Sequence, residues 1–298
     1  MPIRLVAALL AVSVAAGCAS TGSDAAAAAG RVDVVTAFYP LRFLSEQIGG
    51  PQVSVTDLTK PGAEPHDLEL SARQVAQISD AALVVYLKGL QPEVDDAVAM
   101  EARDTGFDVG TAVPLLSYAG DGGEGGGHDP HVWLDPVRYA EISSAVGARL
   151  AAADPVHAAD YTARTADLRA RLHVLDQQYA AGLHDCVRHA IVTSHTAFRY
   201  LAQRYGLTEI GITGITPDAE PTTRQLIKAA QQARAAGATT IFFETLTSPK
   251  VAETLARDLG ARAAVLDPLE GVTTPGADYF TVMRANLAAL TTALGCAS

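Results

Sequence analysis

Cysteine, tryptophan, methionine and charge are all scarce in this 298-residue chain: three Cys, one Trp, three Met, and charged side chains at only 18%. Three cysteines exclude a disulfide-built scaffold, although they can act individually. Only 22 residues are basic against 33 acidic, for a formal charge of -11, and no cationic stripe runs through the chain. A nucleic-acid surface needs clustered Lys and Arg, so a nucleic-acid partner is excluded. Apolar residues make up 49%, which excludes disorder throughout and suits one large domain or two modest ones. Neither a serine-nucleophile elbow nor a phosphate-binding P-loop is present.

One apolar run stands out, from Leu5 to Ala16 behind the single basic residue Arg4. At about 12 residues it is too short for a resident span, which needs about 20, and it reads as an export signal over residues 1–17. Ala15-Ala16-Gly17-Cys18 resembles a bacterial lipobox, in which Cys18 would carry the lipid anchor after cleavage. Small and polar residues then fill 18–30, a composition that predicts a flexible, lipidated tether. The mature body is expected outside the cytoplasm, on the outer face of the cell membrane.

Beyond residue 31 the hydrophobic pattern alternates between short β-rich runs and helical spacing. Val32–Ala37, Val53–Leu58, Ala81–Tyr86 and Gly106–Leu116 read as strands, with helices over Leu41–Ile48, Ser71–Ser79 and Pro92–Ala102. Apolar runs such as Ala81–Tyr86 suit strands covered on both faces, hence a parallel sheet. Gly120 to Gly127 breaks all periodicity and predicts a loop. After a helix beyond Pro136, residues 155–181 are helical again, with Tyr161, Leu168, Leu172, Leu175 and Tyr179 on one side. About 40 Å of helix is long enough to link two domains. The same grammar then repeats to the end of the chain. The expected α/β fold has two Rossmann-like lobes, 31–154 and 184–298, each a mostly parallel sheet flanked by helices, joined by a long connecting helix at 155–183.

Ligands bind beyond the carboxyl ends of strands in open α/β sheets, and four polar residues stand there: His66, His131, His195 and Asp267. Three imidazoles and a carboxylate are a tetrahedral set that suits Zn(II). Taken singly, each His also reads as a hydrogen-bonded or capping residue, and Asp267 before Pro268 as a turn former. His157, His173, His184 and His189 lack convergent spacing and read as surface residues. Cys186 precedes the second lobe's first strand and Cys296 ends its last helix, so in an oxidising exterior the pair suits a disulfide; zinc ligation by the two is disfavoured by the distance of Cys296 from the strand ends.

Six segments carry a resemblance: Pro61–Glu69, Asp129–Pro136, Thr193–Leu201, Glu220–Leu226, Phe242–Glu244 and Leu266–Leu269. In their order and combination the chain resembles the metal-binding lipoproteins of zinc and manganese ABC importers, the cluster A-I solute-binding proteins. The resemblance implies that His66, His131, His195 and Asp267 ligate the metal between the lobes, and that the partners are an ABC permease and its ATPase. It implies a monomer that captures Zn(II) and performs no catalysis. Manganese members commonly place Glu where this chain has His195, so zinc is favoured and Mn(II) is the alternative, as is a metal-dependent adhesin. A zinc-dependent hydrolase is the remaining rival and would need an open coordination position. Glu244 is expected to orient His195 or brace the cleft, with Glu64 and His128 as accessory groups and Asp67 and Glu69 as further acidic neighbours. The 120–128 loop occupies the place of the family's His-rich segment but keeps only His128 among histidines. Trp133 is expected to pack beneath the ligand loop.

Overall fold

A computed structural model describes residues 30–118, 127–217 and 220–297. The export leader, Cys18, the tether as far as residue 29 and most of the glycine loop lie outside the described residues.

From Val32 onward the chain builds two sheets of one design. In the first, β1 (Val32–Thr36), β2 (Val53–Asp57), β3 (Leu83–Tyr86) and β4 (Gly106–Asp108) pair in parallel in the order β2-β1-β3-β4. Helices α1 (Tyr39–Gly49), α2 (Ala72–Asp80) and α3 (Pro92–Glu101) make the crossovers. In the second, β7 (Ala190–Thr193), β8 (Thr208–Gly211), β9 (Thr240–Phe243) and β10 (Arg262–Val265) run in the order β10-β9-β7-β8. Their helices are α6 (Arg199–Arg204), α7 (Thr223–Ala235), α8 (Lys250–Leu259) and α9 (Tyr279–Leu294). Counted from its own first strand, each sheet has the order 2-1-3-4. The repeat is one of architecture: each lobe turns the strand order back between its first and third strands, where α/β folds open a ligand crevice.

Local chemistry sets the element ends. Ser71 and Thr222 form capping boxes with Gln74 and Gln225 at the starts of α2 and α7, each satisfying two orphan backbone donors. Pro92 and Pro136 sit at first helical positions, where a missing N–H costs nothing. The strand expected over 106–116 stops at Asp108, whose side chain accepts from the Gly110 N–H and starts a 3-10 turn over Val109–Ala112. A small antiparallel pair, β5 (Ser117–Tyr118) with β6 (Gly127–His128), brackets the glycine loop.

Between the sheets lie α4 (Pro136–Ala153) and α5 (Ala158–Gly182). Along α5, Tyr161, Thr165, Leu168, Leu172, Leu175 and Tyr179 recur at steps of three and four and are buried, the apolar stripe of an amphipathic helix. Gly147 permits the close approach of α4, because a Cβ there would stand 2.2 Å from Thr165 Oγ1. Arg171 donates to the Gln47 side chain on α1 at 2.8 Å, and Tyr179 donates to the Met283 carbonyl on α9 at 2.6 Å. Helix α5 thus touches both lobes.

One apolar core runs from Val34 and Val84 through Trp133 and Tyr139 to Phe242, Leu266 and Tyr279. Tyr279 stacks on Tyr139 at 4.5 Å and donates to the Trp133 carbonyl at 2.8 Å. A second cluster, including Val192, Ile210 and Ile241, lies in the second lobe. Cys186 and Cys296 are joined by a disulfide. Among the described residues, no helix is long and apolar enough to cross a membrane.

Candidate metal centre

Both lobes contribute to one cluster of buried donors. His66 follows β2, His131 follows β6 and leads into a 3-10 turn over Val132–Leu134, and His195 follows β7. The fourth member is Glu270, on the turn between β10 and α9. Their exposures are 8%, 0%, 2% and 1%. One donor atom from each lies within 4.8 Å of all the others.

Glu270 Oε1 stands 3.4 Å from His66 Nε2, 3.1 Å from His131 Nε2 and 3.3 Å from His195 Nε2. His131 Nε2 and His195 Nε2 are 3.4 Å apart. Zinc–nitrogen bonds of 2.0–2.1 Å in a tetrahedron put neighbouring donors about 3.3–3.4 Å from one another. These four spacings match edges of such a tetrahedron, and the two remaining pairs, His66 with His131 and with His195, lie within 4.8 Å.

Behind the ring nitrogens stand carboxylates. Asp129 Oδ1 lies 2.9 Å from His131 Nδ1 and also accepts from the His131 backbone N–H. Glu244 Oε1 lies 2.8 Å from His195 Nδ1 and accepts from the Ser194 hydroxyl. A carboxylate facing Nδ1 holds a proton there and leaves the Nε2 lone pair for a cation. Glu64 organises the His66 loop by accepting from the backbone N–H groups of His66 and Asp67.

Charge in the cluster follows burial and partners. Burial pushes the His131 imidazole down, but hydrogen bonds to Asp129 and Glu270 outweigh it and bring it up to about 9. His195 is likewise penalised by burial yet raised well above its ordinary value by Glu270 and Glu244. For His66 burial wins over the Glu270 contact and lowers it. Burial would raise Glu270, but the positive charge of His195 and hydrogen bonds from the three rings drag it well below the carboxylate range.

Three of the four expected ligands therefore converge, and Asp267 does not. Its Oδ1 accepts from the Leu269 N–H at 2.8 Å and its Oδ2 from the Thr245 hydroxyl at 2.9 Å, the work of a turn former. Asn286 on α9 holds the same residue from both sides, accepting from the Asp267 N–H and donating to its carbonyl. This fastened turn puts Leu269 at φ 61°, the one left-handed non-glycine among the described residues, and delivers Glu270 into the cluster. Asp267 was the nearer carboxylate to the strand end. The signal for Glu270 was a second acid three residues on, followed by Gly271.

His128 is exposed on β6 and is not in the cluster. Trp133 packs against the His131 ring at 5.3 Å between centroids.

A sequence profile described as "ZnuA: Zinc-uptake complex component A periplasmic" matches residues 34–293. The zinc-binding protein AdcA of Streptococcus pyogenes serotype M6 is 38% identical over 289 residues, covering 88% of this chain and 56% of AdcA. The chain thus spans about half the length of that relative. The high-affinity zinc uptake system protein ZnuA of Bacillus subtilis is 31% identical, covering 93% of this chain and 92% of its own. The crystal structure of the Zn(II)-bound ZnuA-like domain of Streptococcus pneumoniae AdcA superposes with a TM-score of 0.76 at 33% identity, over 89% of this chain and 99% of that one.

Proposed function

This chain belongs to the periplasmic zinc-uptake complex component A family, and from that premise we propose that it captures Zn(II) outside the cytoplasm and delivers it to an ABC importer. His66, His131, His195 and Glu270 are the ligands. The observation that carries the reading is one buried donor atom from each of four residues of both lobes, all within 4.8 Å of one another, with four of the pairs at 3.1–3.4 Å. Zinc is cargo here: four protein donors fill a tetrahedral shell, whereas catalytic zinc keeps a position open for water. No catalytic step is assigned. Three imidazoles with one carboxylate suit Zn(II) better than Mn(II), which favours oxygen donors. Protons compete with the ion for the imidazoles, so acid weakens binding.

The partners in this reading are a membrane permease and its ATPase. Residues 1–17 serve as the export leader, and Cys18 carries the lipid that holds a monomeric body at the outer face of the membrane. The body divides into lobes at 31–154 and 184–298 with the connector at 155–183. Glu244 orients His195.

Metal analysis and competitive chelator titration of the purified protein test the function. About one tightly held zinc per chain is expected, with His195→Glu moving the preference toward Mn(II). Near-equal zinc retention after removal of His66, His131 and His195 together would overturn the assignment.

A further inference from the structure

Glu270 presents two oxygens, and the cluster engages one. Oε2 is buried and accepts no hydrogen bond from the protein, an arrangement proteins rarely tolerate. Glu270 also lines a cavity of about 10 Å³ bounded by Tyr39, Arg42, Asp57, Thr59 and Gly271. That is room for about one water molecule.

A second unmatched atom belongs to another residue of that lining. Arg42 Nε, on α1, is buried without a hydrogen-bond partner. Its acidic neighbours stand off, Glu46 Oε1 at 3.8 Å and Asp57 Oδ2 at 3.9 Å, beyond hydrogen-bond reach. The Thr59 hydroxyl is already committed, donating to the Ala37 carbonyl and accepting from Gln91 Nε2. Arg42, with a donor that lacks an acceptor, and Glu270, with an acceptor that lacks a donor, therefore line one cavity of about single-water size. A polar site of this size with two to four polar partners is where proteins keep structural water.

We propose that one buried water accepts from Arg42 Nε–H and donates to Glu270 Oε2, making Arg42 a positioning residue that keeps Glu270 a one-oxygen ligand. The water's other O–H goes to Asp57 Oδ2, giving it three partners. The inference rests on the zinc-site reading above. Its consequence is selectivity. With Oε2 held by the water, Glu270 offers the cation Oε1 alone and the shell stays at four. Released, Oε2 can close on the cation as a fifth donor, which favours ions that take more oxygen ligands, such as Mn(II), over tetrahedral Zn(II).

Cobalt(II) substitution reads this directly, because its visible absorption is strong in four-coordinate sites and weaker in five-coordinate ones. The full-length mature protein and its Arg42→Met, Glu270→Gln and double variants would each be loaded with cobalt and titrated with zinc against manganese. The expected result is a weakened cobalt band in Arg42→Met and a preference shifted about tenfold toward manganese, the scale of outer-shell effects. On the Glu270→Gln background the same substitution is expected to change neither. An Arg42→Met protein with the wild-type band and preference would overturn the proposal, as would equal changes on both backgrounds, which would show Arg42 acting through the fold. A wild-type protein that takes up no cobalt or zinc, or a Glu270→Gln protein that binds as the wild type does, would overturn the zinc site itself and the role of Arg42 with it.

Discussion

The indole N–H of Trp133 donates to the carbonyl of Pro268 across 2.7 Å, and this bond ties the segment carrying His131 to the turn carrying Glu270. Trp133→Phe keeps an aromatic ring against Phe38, whose centroid lies 4.9 Å away, but leaves the Pro268 carbonyl buried and unmatched. A cost of about 1–3 kcal/mol is expected, together with faster zinc release. Urea unfolding of the metal-free protein and a chelator-triggered release experiment measure the two effects. Unchanged stability and release would show that the bond links nothing of consequence.

The two acids of the last turn should separate by function. Glu270→Ala removes a donor and is expected to weaken zinc binding on the order of a hundredfold or more. Asp267→Ala loosens the turn by freeing the Leu269 N–H and the Thr245 hydroxyl, and should cost about tenfold or less. Competitive titration of both variants decides the matter; a larger loss from Asp267→Ala would restore that residue as the ligand.

That contrast marks how far the sequence could be read. The two lobes, the long helix and the three histidines follow from hydrophobic periodicity, strand-end position and the six family-like segments, all of which are local. Choosing between Asp267 and Glu270 is not local. It depends on Asn286 from α9 gripping the turn and on Leu269 adopting φ 61°, contacts that exist only after folding. The continuous core across the lobes was hidden for the same reason, since Tyr279 and Tyr139 are 140 residues apart in sequence yet stacked in space. Asp129 as the partner of His131 was within reach: it stands two residues before the histidine in the segment already singled out.

Glu209 predicts a pH effect separate from metal binding. Burial pushes its carboxyl up to about 7, although the Phe198 N–H and the Thr193 hydroxyl oppose this. A folded-state value above the unfolded one means that the folded protein binds the proton more tightly. The stability this confers is full below the ordinary carboxylate range and is lost as pH rises through about 7. Glu209→Gln stays neutral and can still accept from Thr193, Ala197 and Phe198, the present donors. Its thermal stability relative to the wild type should therefore improve between pH 5 and pH 8, by a few kcal/mol at most. A difference that does not change with pH would contradict the assignment.

The Cys186–Cys296 disulfide spans 110 residues, and the chain-entropy account gives about 4–5 kcal/mol for a loop of that size. Cys186→Ser with Cys296→Ser should lower the melting temperature and leave zinc affinity within about twofold, because neither residue belongs to the donor cluster. Calorimetry and titration of the double variant check both halves; intact thermal stability, or a large loss of zinc binding, would refute the purely structural role.

X-ray absorption at the zinc edge of the zinc-loaded protein examines the centre itself. Three imidazole nitrogens and one carboxylate oxygen at about 2.0–2.1 Å are predicted, with outer-ring scattering from three histidines. Sulfur scattering, or fewer than three imidazoles around the ion, would contradict a site made of His66, His131, His195 and Glu270.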